Sequence, residues 1–426
     1  MVCRSLLLAL VATTSIAVQA EVKKYDSFYI PQYVSPDPNY ETLVFYLKRN
    51  IFDIADFETY KVLPSSKPKK LEFDVIANDY LTEQLDSTGL LSYLFWSDGK
   101  VLLDQKSDPD RFGMWFNDET LYPSQSVGKS VMSYIVGHAI CDGHIDGIEA
   151  KIDDWPLVKN TVYDNQPLIN ILNMKARDHK HVHDAKGLLK SGRWYNSYSL
   201  KSFMETELAD TRPASGNWND KYNYNGLATR ILINYAIFKI GEDYQSFIER
   251  IFRDKVGIEN ELHILKSTRK QGFYSVKVPE NHGVSRYTVF ASRYDYLRIG
   301  LAMLEDWESE SCVGNYLKEL HSRKVSKNMR PHLSEHFEGG ALSYGGQFHM
   351  DHIGMEDRNV FLLSGYGGQA IMIDFDNRRI VAVNTIHTNY DHIELVQEVI
   401  KNGKMKYGDG SPGLGSTLGG LHRMRK

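Results

Sequence analysis

The 426-residue chain is short of cysteine (three), carries a net charge of only −4, and contains no Asn-x-Ser/Thr sequon. After its first twenty residues it has no apolar run long enough to cross a bilayer. Each scarcity removes a class. Three cysteines cannot build a disulfide framework. A balance this close to neutral supplies neither the basic surface that nucleic acid needs nor the field that a strongly cationic partner needs. Without a long apolar run there is no stable membrane span. The missing sequons fit a bacterial export route better than a eukaryotic one. What remains is a folded globular composition, 42% hydrophobic and 24% charged, and a length that suits one large domain or two ordinary ones.

Residues 1–20 read as an export signal. Arg4 supplies the positive start, Leu6 to Val18 the apolar core, and Val18-Gln19-Ala20 the small-residue cleavage site. Cleavage there would leave a periplasmic or secreted protein without Cys3. Cys141 and Cys312 would remain, either as one disulfide or as two buried thiols.

Residues 21–85 form an expected N-terminal extension, interrupted by Pro31, Pro36 and Pro38, with an amphipathic stretch near Leu43–Ile54. Leu90–Trp96 and Val101–Leu103, joined at Asp98-Gly99, predict two strands in a tight hairpin. From about 126 to 330 the pattern reads as mainly helix and loop. Gly226–Ile240 and Arg293–Asp306 are helices, the second capped by Ser292. Strand character returns at Phe361–Leu363, Ala370–Ile373 and Ile380–Val383, before a closing helix over Asp391–Lys401. Strands near both ends with a helical middle predict one sheet drawn from distant parts of the chain. The corresponding division is a hydrolase-like domain over 86–403, its sheet from 86–125 and 340–403 and its helical part from 126–339. A flexible tail, 404–426, would follow.

Three motifs carry chemistry. Ser126-Val127-Gly128-Lys129 opens an apolar helical run. A serine there lies among unpaired N–H groups at the positive end of the helix, with the lysine one turn along the same face. That places a base beside a hydroxyl nucleophile and donors beside a developing oxyanion. Tyr222-Asn223-Tyr224-Asn225-Gly226 precedes a second helical run, and a tyrosine at such a junction can relay protons. Leu363-Ser364-Gly365-Tyr366-Gly367-Gly368-Gln369 ends one strand and starts another, where glycines admit a close backbone.

In this order the motifs resemble the serine β-lactamase and penicillin-binding-protein superfamily. They are most similar to its class C-like branch of esterases and 6-aminohexanoate-dimer hydrolases, over roughly residues 85–400. The resemblance implies an α/β (α+β) fold, an antiparallel sheet flanked by helices with a mainly helical second subdomain. It implies Ser126 as the acylated nucleophile, Lys129 as its general base and Tyr224 as the proton relay, with Tyr222 an open alternative. The backbone N–H groups of Ser126 and Tyr366 would bind the oxyanion, and Ser364 and Gly365 would border the substrate. No cofactor or metal is implied; the partner is a small amide or ester.

Two departures narrow the chemistry. Tyr224-Asn225-Gly226 lacks the amide that the branch places two residues after the tyrosine. Leu363 stands where penicillin-recognising members place a lysine that holds the antibiotic's carboxylate, which argues against efficient β-lactam hydrolysis. Two rival motifs fall away on their residues. Gly128-Lys129-Ser130 is not a phosphate loop, because Pro123 occupies its required first glycine. His179, His181, His183 and Asp184 alternate like metal ligands but read as a solvated polar loop. The expectation is an exported serine hydrolase of esterase or amidase type. The alternatives are a catalytically weak or inactive binding protein and a true β-lactamase or peptidase.

Overall fold

The computed structural model describes residues 54, 57–108, 116–182, 199–215, 221–269, 285–327 and 340–406. The export signal, residues 407–426 of the tail, and His183 and Asp184 lie outside them.

A nine-stranded sheet organises the molecule, in the order β2-β4-β3-β13-β12-β11-β10-β9-β8. Its strands are β2 (Glu72–Phe73), β3 (Leu90–Ser97), β4 (Lys100–Lys106), β8 (Val325–Ser326), β9 (Ala341–Gly345), β10 (Phe348–His352), β11 (Val360–Gly365), β12 (Gln369–Asp374) and β13 (Arg379–Thr385). All neighbours pair antiparallel except β2 with β4. The β3–β4 hairpin turns at Asp98-Gly99, both with positive φ, as the Asp-Gly pair requires.

The central strands are buried on both faces, which explains their unbroken apolar runs. Phe361, Leu363, Ile371, Ile373, Ile380 and Ala382 enter the larger core. The alternate residues Val360, Leu362, Met372, Val381 and Val383 enter a second core on the opposite face. That second face is covered by Leu81 and Leu85 of α1 (Asp79–Ser87) and by Leu395 to Ile400 of the closing helical segment. The larger core also holds α2 (Val127–Cys141), α3 (Leu168–Leu172), α4 (Gly226–Ile240), α5 (Arg293–Glu308) and α6 (Cys312–Ser322). Ser292 caps α5, its side chain accepting the Asp295 N–H, and α4 occupies the span its sequence predicts.

The middle of the chain holds more strand than its sequence suggests. A second sheet, β1-β6-β7-β5, is built from β1 (Phe57–Val62), β5 (Tyr122–Pro123), β6 (Leu262–Arg269) and β7 (Ser285–Ala291). β6 and β7 mix lysine, arginine and serine among their apolar residues, so no clean alternation marks them. β1 and α1 also build residues 57–87 into the fold, although prolines set much of that stretch apart in the sequence.

Cys141, at the end of α2, and Cys312, at the start of α6, form a disulfide with Cα atoms 5.7 Å apart. The two-thiol alternative is thereby excluded. Among the described residues no helix is long and apolar enough to cross a membrane.

Candidate active site

The loop into α2 is held by the small sheet. Tyr122 and Pro123 pair with Ala291 and Phe290 of β7. Ser124 continues the pairing: its N–H donates to the Val289 carbonyl at 2.7 Å, and its Oγ accepts the Val289 N–H at 2.9 Å. The Tyr296 hydroxyl, from α5, donates to the carbonyls of Tyr122 and Val289. Gln125 then turns through φ +48°, a left-handed value that non-glycine residues adopt rarely. The turn delivers Ser126 to the helix start.

The first turn of α2 is closed by the N–H groups of Val127, Gly128 and Lys129, which donate to the carbonyls of Ser124, Gln125 and Ser126. None of these bonds occupies the N–H of Ser126. Lys129 reaches back along the helix face, and its Nζ is hydrogen-bonded to Ser126 Oγ at 2.6 Å. Lys129 is 3% exposed, so its amine is held in an apolar interior rather than in bulk water.

Two aromatic rings flank that amine. Nζ lies 4.8 Å from the ring centre of Tyr224 and 4.1 Å from that of Tyr287. Of the two tyrosines left open by the sequence, Tyr224 is the one set beside Lys129. Tyr222 packs at a tilt against its neighbours, 6.4 Å from Tyr224 and 5.2 Å from Tyr344. The Tyr224 ring also meets Tyr344 at 5.9 Å and His349 at 6.2 Å, and His349 Nδ1 is bonded to the buried Lys327 Nζ at 2.8 Å.

Tyr287 comes from β7, and its approach explains Gly128. A Cβ at residue 128 would lie 1.8 Å from the Tyr287 carbonyl oxygen. Only glycine lets α2 sit this close to the strand. Sequence reasoning missed Tyr287, because the Tyr287-Thr288-Val289-Phe290 run carries no motif and its contact with Lys129 spans distant segments.

The third motif lies against the same loop. β11 ends at Gly365, extended at φ −131°, with Ser364 opposite Ala370 and Gly365 opposite Gln369. A Cβ on Gly365 would meet the Ser124 carbonyl at 2.7 Å and Gln125 Cβ at 3.2 Å. Tyr366 opens the single helical turn Tyr366–Gly368 that follows. Leu363 is fully buried, opposite Ile371 in the larger core. The position that could have carried a substrate-binding lysine is therefore a packing position here.

Asn225 is the N-cap of α4, its side chain accepting the Ala228 N–H at 2.8 Å. Among the described residues no group of three His, Cys, Asp or Glu side chains could hold a metal. Ser126, Lys129 and Tyr224 thus converge, and Ser364 and Gly365 end the strand that abuts the 124–126 loop, with Tyr366 opening the turn beyond it. A lysine amine this close to a serine hydroxyl can take its proton, and the adjoining phenol can pass one on.

Neither a protein-family model nor a curated protein matches this sequence. Solved structures do match. A protein described as a 6-aminohexanoate-dimer hydrolase from Bacillus anthracis aligns over 84% of this chain and 92% of its own, with a TM-score of 0.57 and 14% identity. An octameric penicillin-binding protein homologue from Pyrococcus abyssi covers 77% of this chain and 76% of its own, at a TM-score of 0.51 and 14% identity. A protein described as a β-lactamase from Bacteroides dorei covers 76% and 96%, at 0.51 and 13% identity. At such identities the likeness is one of backbone architecture: this chain has the fold of the serine β-lactamase and penicillin-binding-protein superfamily.

Proposed function

We propose that the chain is a serine hydrolase that cleaves an amide or ester through an acyl-Ser126 intermediate. The observation that carries this reading is the 2.6 Å bond between Lys129 Nζ and Ser126 Oγ, with the Tyr224 ring against the same amine. Ser126 Oγ attacks the substrate carbonyl carbon as its proton passes to Lys129. The N–H groups of Ser126 and Tyr366 receive the oxyanion. The tetrahedral adduct expels an alcohol or amine, which takes a proton through Tyr224. Water then attacks the acyl ester, its proton moving to the Tyr224–Lys129 pair; the tetrahedral adduct breaks its bond to Ser126 Oγ, which takes that proton back, and the carboxylic acid leaves.

The buried Leu363 favours an esterase or amidase over a β-lactamase, because no cation stands at that position to bind an antibiotic's carboxylate. The hydrolase from Bacillus anthracis, whose name denotes an amide substrate, supports the same direction. The disulfide supports export to an oxidising compartment, periplasmic or extracellular, after removal of the signal.

A fluorophosphonate probe followed by peptide mass analysis tests the nucleophile. Labelling at Ser126, its loss in Ser126→Ala, and loss of p-nitrophenyl ester turnover in the same folded variant are expected. Lys129→Ala should lower turnover by about 10²–10⁴-fold, as removal of an activating base does. A wild-type protein that neither labels nor turns over any ester or amide of a broad panel would sink the reading in favour of a binding protein. Nitrocefin turnover is expected to be slow.

A further inference from the structure

Both asparagines that flank Tyr224 donate to one buried carboxylate. Asn223 Nδ2 reaches Asp178 Oδ1 at 2.7 Å, and Asn225 Nδ2 reaches Asp178 Oδ2 at 3.1 Å. The Tyr163 hydroxyl adds a third donor to Oδ2, at 2.6 Å. Asp178 is 1% exposed, and all of these partners are buried with it. Its own backbone is fixed, with the carbonyl accepting the N–H groups of His181 and Val182. Burial pushes its carboxyl above the usual range, opposed by these three neutral donors, and no cation is among the groups that act on it. A buried carboxylate held by neutral donors alone is expensive for a fold to keep. A polar core residue of lower cost would serve if packing were the whole purpose.

In its ionised form, which the three donors favour, the carboxylate offers what no neutral side chain of its size does, lone pairs on both ends for two separate amides. Asn225 is extended, at φ −154° and ψ 151°, and successive side chains of an extended segment point to opposite sides. With residues 223 and 225 turned toward Asp178, Tyr224 is turned away from it, and Lys129 lies on that side.

We propose that Asp178 is a positioning residue for the acyl transfer described above: by binding Asn223 and Asn225 together it sets the rotation of the 222–225 segment and presents Tyr224 to Lys129. It acts through the two asparagines. The inference rests on the hydrolase reading for its consequence in turnover, and on geometry alone for its effect on Tyr224.

The test is a donor–acceptor exchange read in two ways. Asp178→Asn leaves one oxygen for Asn225 and Tyr163 but turns an NH₂ group toward the Asn223 amide. Its kcat should fall about ten- to a hundredfold, with KM within about twofold, as for a misplaced relay. The double variant Asp178→Asn with Asn223→Asp reverses donor and acceptor, restores the bond, and should recover most of that loss. Fluorotyrosine at position 224 supplies the second readout: its ¹⁹F resonance should shift or broaden in the single variant and return in the double. Should Asp178→Asn fail to fold, Asn223→Ala removes one donor, leaves the carboxylate, and should move the same resonance. An unmoved Tyr224 resonance, or a double variant as impaired as the single, overturns the proposal. If the wild type proves not to be a hydrolase, that reading falls by itself, and the ¹⁹F series alone supports or overturns the placement of Tyr224 by Asp178.

Discussion

At the scale of single residues, the most instructive side chain is Tyr287. Its ring faces Lys129 Nζ at 4.1 Å, opposite Tyr224. In the proposed reaction Lys129 becomes an ammonium when it takes the serine proton, and an aromatic face stabilises that ion by up to about 2 kcal/mol in a dry setting. The stabilisation belongs to the step in which charge forms, so it should appear in kcat rather than in KM. Tyr287→Phe keeps the ring and should retain turnover within about threefold, whereas Tyr287→Leu should lose about tenfold or more. Steady-state kinetics on a p-nitrophenyl ester decide it; equal losses in the two variants would assign the effect to the hydroxyl instead. The placement of Ser126 and Lys129 was legible because they open a helix whose apolar spacing is plain, and the 222–225 segment because it precedes another, which left Tyr224 and Tyr222 both open. Tyr287 and Asp178 were not legible, since Lys129 lies 158 positions from Tyr287 and the two asparagines lie 45 and 47 positions from Asp178, and nothing local in the sequence marks such a pairing.

At the scale of elements, α2 carries Ser126 at its N-cap and a pH-sensitive group near its end. His138 lies near its end, edge-on to Tyr134 at 4.7 Å. Burial pulls its imidazole down from an ordinary value near 6.5 to about 4, so the folded helix holds it neutral. Between those values the unfolded chain binds a proton that the folded chain does not. Stability is therefore undiminished above about pH 6.5 and falls as the pH drops toward 4, by about 3 kcal/mol for this one group. Urea unfolding at pH 7 and at pH 4.5 should show the loss, and His138→Phe, which preserves a ring against Tyr134, should reduce it while the buried His392 keeps its share; an unchanged pH slope in that variant would refute the assignment. The elements themselves divide by how they bury their residues. The doubly buried strands β11 to β13 announce themselves as apolar runs between turn residues, and α4 and α5 by their caps. β6 and β7 do not, because a strand that mixes lysine, arginine and serine with its apolar residues follows neither a helical nor a strict alternating period.

For the whole molecule, the Cys141–Cys312 bridge is the longest-range covalent constraint. It closes a loop across a sequence separation of 171 and joins the end of α2 to the start of α6. In the chain-entropy account a loop of that length removes about 5 kcal/mol of freedom from the unfolded state, and measured losses on removing native bridges run at about 2–5 kcal/mol. The Cys141→Ser, Cys312→Ser double variant should unfold at correspondingly lower denaturant, while fluorophosphonate labelling of Ser126 persists at 25 °C. Stability equal to that of the wild type would mean that the bridge constrains nothing that packing does not already hold.

The tip of the β9–β10 hairpin draws these scales together. The Gln347 carbonyl accepts the Ser130 hydroxyl of α2 at 2.5 Å, and its side-chain oxygen accepts the Thr229 hydroxyl of α4 at 2.6 Å. Its side-chain amide donates to the carbonyls of Ile171 and Leu172 in α3, and its backbone N–H to that of Leu172. Ser130 adjoins Lys129, and Thr229 lies in the helix that Tyr224 precedes. One residue at the hairpin tip therefore ties α2, α3 and α4 together. If the proposed reaction holds, Lys129 and Tyr224 stand on two elements already pinned to one anchor, and no domain need close to bring them together.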